Sequence, residues 1–434
     1  MNIHIALKRF YISQLGKDIL YSLFAQIVIF ITAFIVNKII SNHLGIGGFG
    51  AYNIIKRSAN LLAVFIVGGM NIALPRFFAM YKAHLKYHKL CVLQTSSYIV
   101  VCINILVLII FMLLYPSLSV DLFLGKNFGH EWLYTLFFYS LSLALNSMVL
   151  AYCNGNGKYK EFNVIQIITQ LFYVFGAVFF SFDCKWLFFV WSMLIFIYSL
   201  FKLIFYTRQN HLLILRSFKY RILMIKKIVL YGFPRMISDM LMNLGDFIPL
   251  LIIQVKYGNI SLGLFSAAIS IQLLIAPLFA FTGNVILQRV SLWNAKKEFK
   301  KISNMIFIMG GIFVIIALFG AFIISLFSDI LLRLFFNDEF LLAKNMASIL
   351  AFSLIPRSLY LLLRNPLDAI SSFPYNLLTM LLRIALYISL LYSSSNVEEC
   401  AWAYLWSYTL AGVLSIFFWL FAFKKIRKKI IIHK

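Results

Sequence analysis

The sequence predicts an all-α polytopic membrane protein with twelve transmembrane helices in two six-helix halves. Hydrophobic residues make up 62% of the 434-residue chain and charged residues only 12%, whereas a soluble domain carries about 25% charge. Twelve apolar segments approach the roughly 20 residues that a membrane-spanning helix needs. Most lysines and arginines lie in the segments on one side of these spans. By the positive-inside rule, that side and both chain termini are expected in the cytoplasm.

The predicted spans follow one another closely, with one longer connection between the sixth and the seventh. They are residues 19–40, 51–74, 91–114, 132–153, 162–181, 186–206, 228–254, 260–283, 302–326, 346–363, 373–392 and 400–422. This order predicts an N-terminal six-helix bundle at 1–206, a basic cytoplasmic linker at 207–227, and a C-terminal six-helix bundle with a basic tail at 228–434. The linker alternates basic with apolar residues, which suits either a segment on the anionic inner leaflet or a plain connection.

Composition and motifs argue against several classes of function. The net charge of +25 is scattered over short loops, whereas nucleic-acid binding needs basic residues gathered on one folded surface. The five cysteines show no paired spacing, so neither a disulfide framework nor a zinc site is indicated. No P-loop, nucleophile elbow, pair of catalytic carboxylates or metal-ligand cluster is recognisable. We therefore expect no enzyme activity, no catalytic residue, no cofactor and no metal.

A weak internal repeat relates the two halves. A shift of 213 residues aligns residues 44–76 with residues 257–289 without a gap, and seven of the 33 positions are identical. Among them are two glycine pairs, Gly45 with Gly258 and Gly50 with Gly263. Both segments cover the loop and the helix that follow the first span of a half. A repeat displaced by six helices keeps its orientation, so parallel repeats are expected, as in some alternating-access transporters.

The repeated segment also carries a family resemblance. "LGIGGFGAYN" after the first span and "GGMNIALPR" at the end of the second resemble the multidrug/oligosaccharidyl-lipid/polysaccharide exporter superfamily, and more narrowly its Wzx-type O-antigen flippases. The resemblance covers residues 12–290. It implies a MATE-like fold of two six-helix bundles that meet in a V, with a central cavity open alternately to each side of the bacterial inner membrane.

The resemblance also implies a substrate and partners. The substrate would be an undecaprenyl-diphosphate-linked oligosaccharide, an O-antigen repeat unit turned from the cytoplasmic to the periplasmic leaflet. Membrane lipids would surround the protein, and a polysaccharide polymerase and a chain-length regulator would work beside it. Without an ATP-binding motif, energy would come from an ion gradient, a substrate gradient or the removal of product.

Two other functions remain open. One is MATE-type drug or metabolite antiport on the same fold. Its multidrug members usually carry a carboxylate within the first bundle, whereas Asp18 lies at the cytoplasmic edge here and no acid lies deeper. The other is a membrane polysaccharide polymerase or ligase. Those enzymes typically have a large periplasmic loop, and the longest outer loop predicted here spans only residues 327–345.

The second span carries candidate substrate-binding residues. Asn53, Arg57, Asn60 and Asn71 fall on one side of a helix at about 100° per residue. The repeat-related positions hold no cation, so the repeat itself does not require one. We therefore predict that Arg57 and Asn60 bind substrate in a cationic cavity. The alternative for Arg57 is a side chain that reaches the outer membrane surface.

The seventh span carries three charges within roughly 40° of one another. Arg235 and Asp239 are four residues apart and suited to an ion pair that stabilises the bundle. Asp246 needs a partner from another helix or a proton, because a lone carboxylate at this depth is costly. We assign Asp239, Asp246 and Arg235 to ion coupling or counter-charge.

Three arginines in the last third of the chain are further substrate candidates. Arg383 lies near the middle of the eleventh span, Arg357 just past the middle of the tenth, and Arg364 at its cytoplasmic end. The guanidinium group offers a planar fork of donors for phosphate oxygens. All three are therefore expected to bind diphosphate or anionic sugar, although Arg383 is equally placed to pair with Asp246 or Asp239.

Overall fold

The structure, a computed structural model, describes residues 14–83, 87–125, 127–209, 218–273, 297–371 and 373–432, with isolated residues between 275 and 294. These residues form helices joined by short turns, and no strand occurs among them. The predicted all-α class is confirmed.

The helices are numbered here in chain order. They are α1 (Gln14–Val67), α2 (Met70–Ala83), α3 (Tyr87–Leu114), α4 (Pro116–Phe123), α5 (Trp132–Gly155), α6 (Tyr159–Phe180), α7 (Cys184–Gln209), α8 (Phe218–Leu273), α9 (Phe299–Leu326), α10 (Ser328–Phe335), a 3-10 helix (Asp338–Ala343), α11 (Lys344–Phe352), α12 (Leu354–Ile370), α13 (Tyr375–Ser393) and α14 (Val397–Ile432). The end of the predicted eighth span, beyond Leu273, falls largely outside the described residues.

The number of long apolar helices agrees with a multi-pass membrane protein. Within the described ranges, nine helices are long and apolar enough to cross a membrane, or ten if the bent pair α11 and α12 is one span. Two of the nine, Phe24–Val67 with 44 residues and Tyr220–Leu273 with 54, are about twice as long as one crossing requires. Each is interrupted by one non-helical residue, at Gly45 and at Gly258. Two crossings in each would be compatible with the predicted twelve.

The backbone supports the internal repeat. Gly45 has φ 63° and ψ −172°, and Gly258 has φ 83° and ψ 178°. These two glycines are repeat-equivalent, and each lies at the bend between two limbs of a long helix. A positive φ is readily adopted by glycine and disfavoured by residues with a Cβ. The shared conformation shows that the weak sequence identity reflects a repeated local structure.

A second glycine pair brings the two repeats into direct contact. A Cβ on Gly50 would lie 3.0 Å from the Asn259 carbonyl oxygen, and a Cβ on Gly263 would collide with the Ile46 carbonyl oxygen. Gly50 and Gly263 are repeat-equivalent, and so are Ile46 and Asn259. The contact is therefore reciprocal, like the self-complementary interface of a twofold dimer. The absence of side chains at both glycines lets the backbones approach this closely.

The chain divides into two compact units. The first contains the described residues up to Leu44 together with Ile54–Asn243, and the second contains Gly45–Asn53 together with the residues from Leu244 onward. The six-helix bundles predicted at 1–206 and 228–434 stay a prediction. Of the predicted linker 207–227, residues 210–217 lie outside the described ranges, and the residues on either side belong to α7 and α8.

The second predicted span is broken near its end. Gly68 and Gly69 both have positive φ, and they separate α1 from α2. Asn104 on α3 compensates the break, because its Nδ2 donates to the Phe65 oxygen at 3.1 Å and to the Ile66 oxygen at 3.2 Å. Side-chain donors of this kind satisfy backbone groups freed within a membrane helix. The break therefore lies inside the first unit at a defined place, beside the cavity described below.

We expect Gly263→Ala to destabilise the protein, because the new methyl group has to displace the Ile46 carbonyl. Overpacking of this kind costs about 1 to 3 kcal/mol. The measurement is the unfolding free energy of the purified protein in detergent. Gly311→Ala is the matched control, because nothing lies within 4 Å of a Cβ built on Gly311. Equal stability of the two variants would contradict the close contact of the repeats.

Candidate functional site

A cavity of about 260 Å³ lies inside the first unit, next to the break between α1 and α2. Its polar lining is Asn60 from α1, Asn71 from α2, Asn146 and Ser147 from α5, and Asn243 from α8. The remaining lining residues are aliphatic. The cavity thus combines apolar walls with a few polar groups, as ligand sites generally do. Among the described residues, none of those that line the cavity is charged.

The amides of the cavity share one hydrogen-bonding pattern. Three of them donate to a neighbour through Nδ2: Asn60 to the Lys56 oxygen at 2.9 Å, Asn243 to the Asp239 oxygen at 2.8 Å, and Asn146 to Thr169 Oγ1 at 3.5 Å. Each amide has thereby used a donor and keeps its oxygen as an acceptor. Asn146 Oδ1 is buried without a hydrogen-bond partner. An unsatisfied buried acceptor is costly, so this oxygen favours a ligand that donates hydrogen bonds.

The second predicted span contributes two residues to this cavity. Asn60 lies in the lining, and Asn71 from the same stripe joins it across the helix break. The predicted role of Asn60 in binding substrate stays a prediction. Arg57 precedes Asn60 by about one turn and is half-buried, and it is not a lining residue. Asn53, which belongs to the second unit, donates to the Phe49 oxygen. The structure therefore brings two of the four stripe residues to one site.

A second site, inside the second unit, holds two arginines around a tyrosine. Arg383 on α13 is only 1% exposed, and its guanidinium carbon lies 3.8 Å from the centre of the Tyr408 ring. Its Nη2 is 3.7 Å from Asp246 Oδ1 and donates to the Gly245 oxygen at 3.4 Å. A Cβ on Gly245 would lie 2.8 Å from Arg383 Nη1. The glycine thus leaves the space that the guanidinium group occupies beside Asp246.

Arg357 contacts the same aromatic group. Its Nη1 donates to Tyr404 Oη at 3.0 Å and to Gln272 Oε1 at 3.2 Å, and its guanidinium carbon lies 5.2 Å from the Tyr408 ring. Gln272 is fully buried and donates onward to Ser353 Oγ at 2.9 Å. We call Asp246, Arg357, Arg383, Tyr404 and Tyr408 the arginine–tyrosine cluster.

The charges of this cluster suggest different roles for its members. Two guanidinium groups accompany one carboxylate, and aromatic faces stabilise both cations. Arg383 is enclosed, whereas the Asp246 side chain is 28% exposed. Asp246 is therefore the member that solvent, a proton or a cation can reach, and Arg383 is its fixed counter-charge. The sequence left Asp246 and Asp239 as possible partners of Arg383, and in the structure Arg383 lies beside Asp246.

Arg235 takes a different partner from the one considered. Its Nη1 donates to the Tyr231 oxygen at 2.9 Å, and its guanidinium carbon lies 3.7 Å from the Tyr231 ring centre. Among the described residues, the ion pair between Arg235 and Asp239 is not formed. Helix side chains lean toward the N-terminus of their helix, so Arg235 reaches back to residue 231 instead of forward to residue 239.

The remaining arginine candidate lies two turns beyond Arg357 on α12. Arg364 is half-buried, and its backbone oxygen accepts a hydrogen bond from Asn376 Nδ2 at 2.8 Å. The same amide donates to Asp368 Oδ1 at 2.8 Å. Arg364 is thus placed beside an acid on its own helix, and its predicted role with substrate stays a prediction.

Sequence reasoning missed several residues of both sites. Asn146 and Ser147 are adjacent polar residues within an apolar helix, and Tyr404 and Tyr408 are four residues apart on α14. Both signals were visible in the sequence, but polar residues and tyrosines are common in membrane helices. Only their position beside Asn60 and beside Arg383 singles them out.

Comparisons with known proteins place the chain in a family. A family model described as polysaccharide biosynthesis protein matches residues 15–291. The chain belongs to this family. No curated protein matches it. Family and fold together support a transporter that spans the membrane several times.

Several solved structures share the fold of the polysaccharide biosynthesis chain. An inward-facing multidrug resistance MATE family transporter of the MOP superfamily has a TM-score of 0.78 at 12% identity, with 92% of this chain and 95% of that one covered. A MATE transporter of Vibrio cholerae has a TM-score of 0.69 at 14% identity, covering 94% and 96%. A MOP superfamily transporter from Pyrococcus furiosus, titled as having a binding pocket of reverse polarity, has a TM-score of 0.67 at 13% identity, covering 93% and 96%. At these identities the likeness shows a MATE-like fold.

We expect Arg383→Met to destabilise the protein by about 3 to 5 kcal/mol, because it removes the enclosed cation whose Nη2 lies 3.7 Å from Asp246 Oδ1. Adding Asp246→Asn should recover part of the loss, since the carboxylate that has lost this partner is then uncharged. The measurement is unfolding of the four proteins of this double-mutant cycle in detergent.

The control for this cycle is an exposed pair in the same unit. Arg333 Nε lies 3.4 Å from Asp338 Oδ1, and both side chains are largely exposed. Arg333→Met should change stability by about 1 kcal/mol or less. Equal effects of Arg333→Met and Arg383→Met would contradict a special role for the pair of Arg383 and Asp246.

Proposed function

We propose that this protein is a flippase that moves undecaprenyl-diphosphate-linked oligosaccharide repeat units from the cytoplasmic to the periplasmic leaflet of the bacterial inner membrane. The observation that carries the proposal is the asparagine-lined cavity within a chain of the polysaccharide biosynthesis family. Sugar hydroxyls are hydrogen-bond donors, and the cavity offers amide oxygens, one of them buried and unsatisfied.

The size and neutrality of the cavity fit a sugar. A volume of about 260 Å³ is smaller than the roughly 300 to 1,000 Å³ of drug-sized ligand sites. It suits a single sugar ring within a longer oligosaccharide. Aliphatic residues such as Val64 and Leu143 provide the apolar wall against which the ring carbons can pack.

Charged parts of the substrate require other residues. A lipid diphosphate brings negative charge, for which arginine is the preferred partner because it binds two oxygens at once. Arg57, half-buried and about one turn from Asn60, is our candidate in the first unit. Arg357 is our candidate in the second, because Arg383 is enclosed and lies beside Asp246. Asp246 would then serve as an ion-coupling or counter-charge group that responds when the substrate anion arrives.

MATE-type drug or metabolite antiport is the alternative on the same fold. It would favour a carboxylate in the binding cavity, to attract a cationic compound. The lining described here carries amides and no carboxylate, which supports an uncharged hydroxyl-rich ligand. The second alternative is that the protein itself is a polymerase or ligase. If it is a flippase, we expect a separate polymerase and a chain-length regulator as its partners.

The test of the function is a deletion strain. We expect single repeat units on undecaprenyl diphosphate to accumulate in the cytoplasmic leaflet, with loss of surface polysaccharide. The measurement is extraction of these glycolipids after enzymatic labelling of the exposed leaflet. An unchanged glycolipid pool with altered drug tolerance would favour antiport, and accumulation of unpolymerised units in the periplasmic leaflet would favour a polymerase.

We expect Asn146→Leu to reduce restoration of surface polysaccharide in that strain by about tenfold, since it removes the buried acceptor and fills the cavity. A lost hydrogen bond of about 1.4 kcal/mol corresponds to that factor. The matched control is Asn304→Leu, an exposed asparagine of α9 outside the cavity. Equal export by both variants at equal protein levels would argue against sugar binding in this cavity.

Charge removal in the membrane tests the arginine and aspartate candidates. We expect Arg57→Ala and Asp246→Ala to impair export more than Lys38→Ala, because Lys38 near the outer end of the first span is suited to reach the membrane surface. The readout is surface polysaccharide per amount of folded protein in the membrane. Normal export by both Arg57→Ala and Asp246→Ala would exclude them from the transport cycle.

A further inference from the structure

Two arginines of the first unit stack on one tyrosine ring. The Arg76 guanidinium carbon lies 4.2 Å from the centre of the Tyr231 ring, and that of Arg235 lies 3.7 Å from it. The ring of Tyr231 thus contacts a guanidinium group from each of two helices. Stacking on an aromatic ring fixes the orientation of a guanidinium group and leaves its edge free to donate.

A lysine extends this arrangement. Lys227 Nζ donates to Tyr81 Oη at 3.1 Å and lies 5.1 Å from the centre of the Phe77 ring. The Phe77 ring in turn packs edge-on against Tyr231, with 5.5 Å between centres. We call Arg76, Lys227, Tyr231 and Arg235, with the supporting rings of Phe77 and Tyr81, the Tyr231 platform. It joins α2 to the first part of α8.

The platform carries three positive charges and no described carboxylate. Among the described residues, no ion pair includes Arg76, Lys227 or Arg235. These cations contact aromatic rings, a tyrosine hydroxyl and a backbone oxygen. Arg76 and Lys227 are exposed, and Arg235 is half-buried. A surface lysine or arginine ordinarily moves freely in water, whereas these cations are oriented by aromatic contacts. Oriented cations without a neutralising acid form a site for an anion.

The backbone holds the two helices together at this place. A Cβ on Gly69 would collide with the Gly232 carbonyl oxygen, and Gly232 directly follows Tyr231.

The positive-inside pattern predicts that residues 75–90 and 207–227 face the cytoplasm, so the platform lies where those segments enter the membrane. Lipid phosphates lie at this level of the bilayer.

We propose that the Tyr231 platform binds the phosphate group of a lipid in the cytoplasmic leaflet. Arg76 and Arg235, both oriented by the Tyr231 ring, donate to phosphate oxygens, and Lys227 adds a third charge. A lipid diphosphate presents more anionic oxygens than a phosphodiester and satisfies more of these donors. The platform is separate from the asparagine cavity and from the arginine–tyrosine cluster, and its ligand needs no sugar.

The experiment measures binding of sugar-free lipids to the full-length protein in neutral detergent. The probes are farnesyl diphosphate, phosphatidylglycerol and, as a zwitterionic reference, phosphatidylcholine. We expect Arg76→Gln and Arg235→Gln each to weaken binding of farnesyl diphosphate about tenfold or more, as loss of a charged hydrogen bond does. Lys202→Gln is the matched control, because Lys202 stacks on a tyrosine, Tyr198, elsewhere in the first unit. Unchanged affinity in both arginine variants would overturn the proposal.

The same assay separates the two sources of phosphate. Binding of farnesyl diphosphate at least ten times tighter than phosphatidylglycerol assigns the platform to an isoprenyl diphosphate, and equal binding of the two assigns it to bulk anionic lipid. If phosphatidylcholine, which carries no net charge, binds as tightly as the two anionic lipids, the proposal is overturned, because binding would then not depend on the negative charge of the lipid. Because no probe carries a sugar, the result stands independently of oligosaccharide transport.

Two substitutions of Tyr231 test the role of its ring and control for misfolding. Tyr231→Phe keeps the stacking surface and should keep the affinity, whereas Tyr231→Leu removes the surface that orients both arginines and should weaken binding about tenfold. All variants are compared at equal unfolding midpoints in detergent. Full affinity in a folded Tyr231→Leu protein would show that the ring does not organise the site.

Discussion

The cost of charged and polar groups away from water governs this structure. In the hydrocarbon region each such group needs a partner from the protein itself. Arg383 meets this demand with Asp246, the Gly245 oxygen and the face of Tyr408. At the break between α1 and α2, Asn104 supplies the donors that the interrupted helix lacks. Where a group stays unsatisfied, as Asn146 Oδ1 does, the same cost indicates a place for a ligand.

Glycine is the means by which several of these arrangements fit. Gly245 leaves room for a guanidinium group, and Gly50 and Gly263 let the two repeats touch along their backbones. The reciprocal contact of these repeat-equivalent glycines also gives physical meaning to a repeat that is barely visible in the sequence.

The three polar sites differ in their chemistry. The Tyr231 platform is cationic and open, the asparagine cavity is neutral and rich in acceptors, and the arginine–tyrosine cluster combines two cations with a reachable acid. A ligand with a phosphate end and a hydroxyl-rich end would find matching groups in different places. This division of chemistry fits the polysaccharide biosynthesis family better than it fits a cavity built for one cationic drug.

The sequence by itself determined the helical membrane class, a span count compatible with the structure, the repeat and the family resemblance. These features depend on hydropathy over about 20 residues and on spacing along one chain, which are local properties. It also grouped Asn60 with Asn71, which the structure places on two helices, α1 and α2, around one cavity. The tertiary structure alone decided which distant groups meet. Arg383 lies beside Asp246, Asn146 lies in one cavity with Asn60 and Asn243, and Arg235 turns to Tyr231 instead of Asp239.

The reason is geometric. Each residue turns a helix by about 100°, so the direction of a side chain depends on where a helix begins, where a glycine bends it and how it rotates against its neighbours. Span boundaries read from hydropathy are uncertain by several residues, which is enough to point a side chain to lipid or to the interior. Hydropathy therefore placed the charges in the membrane, and only helix packing determined their partners.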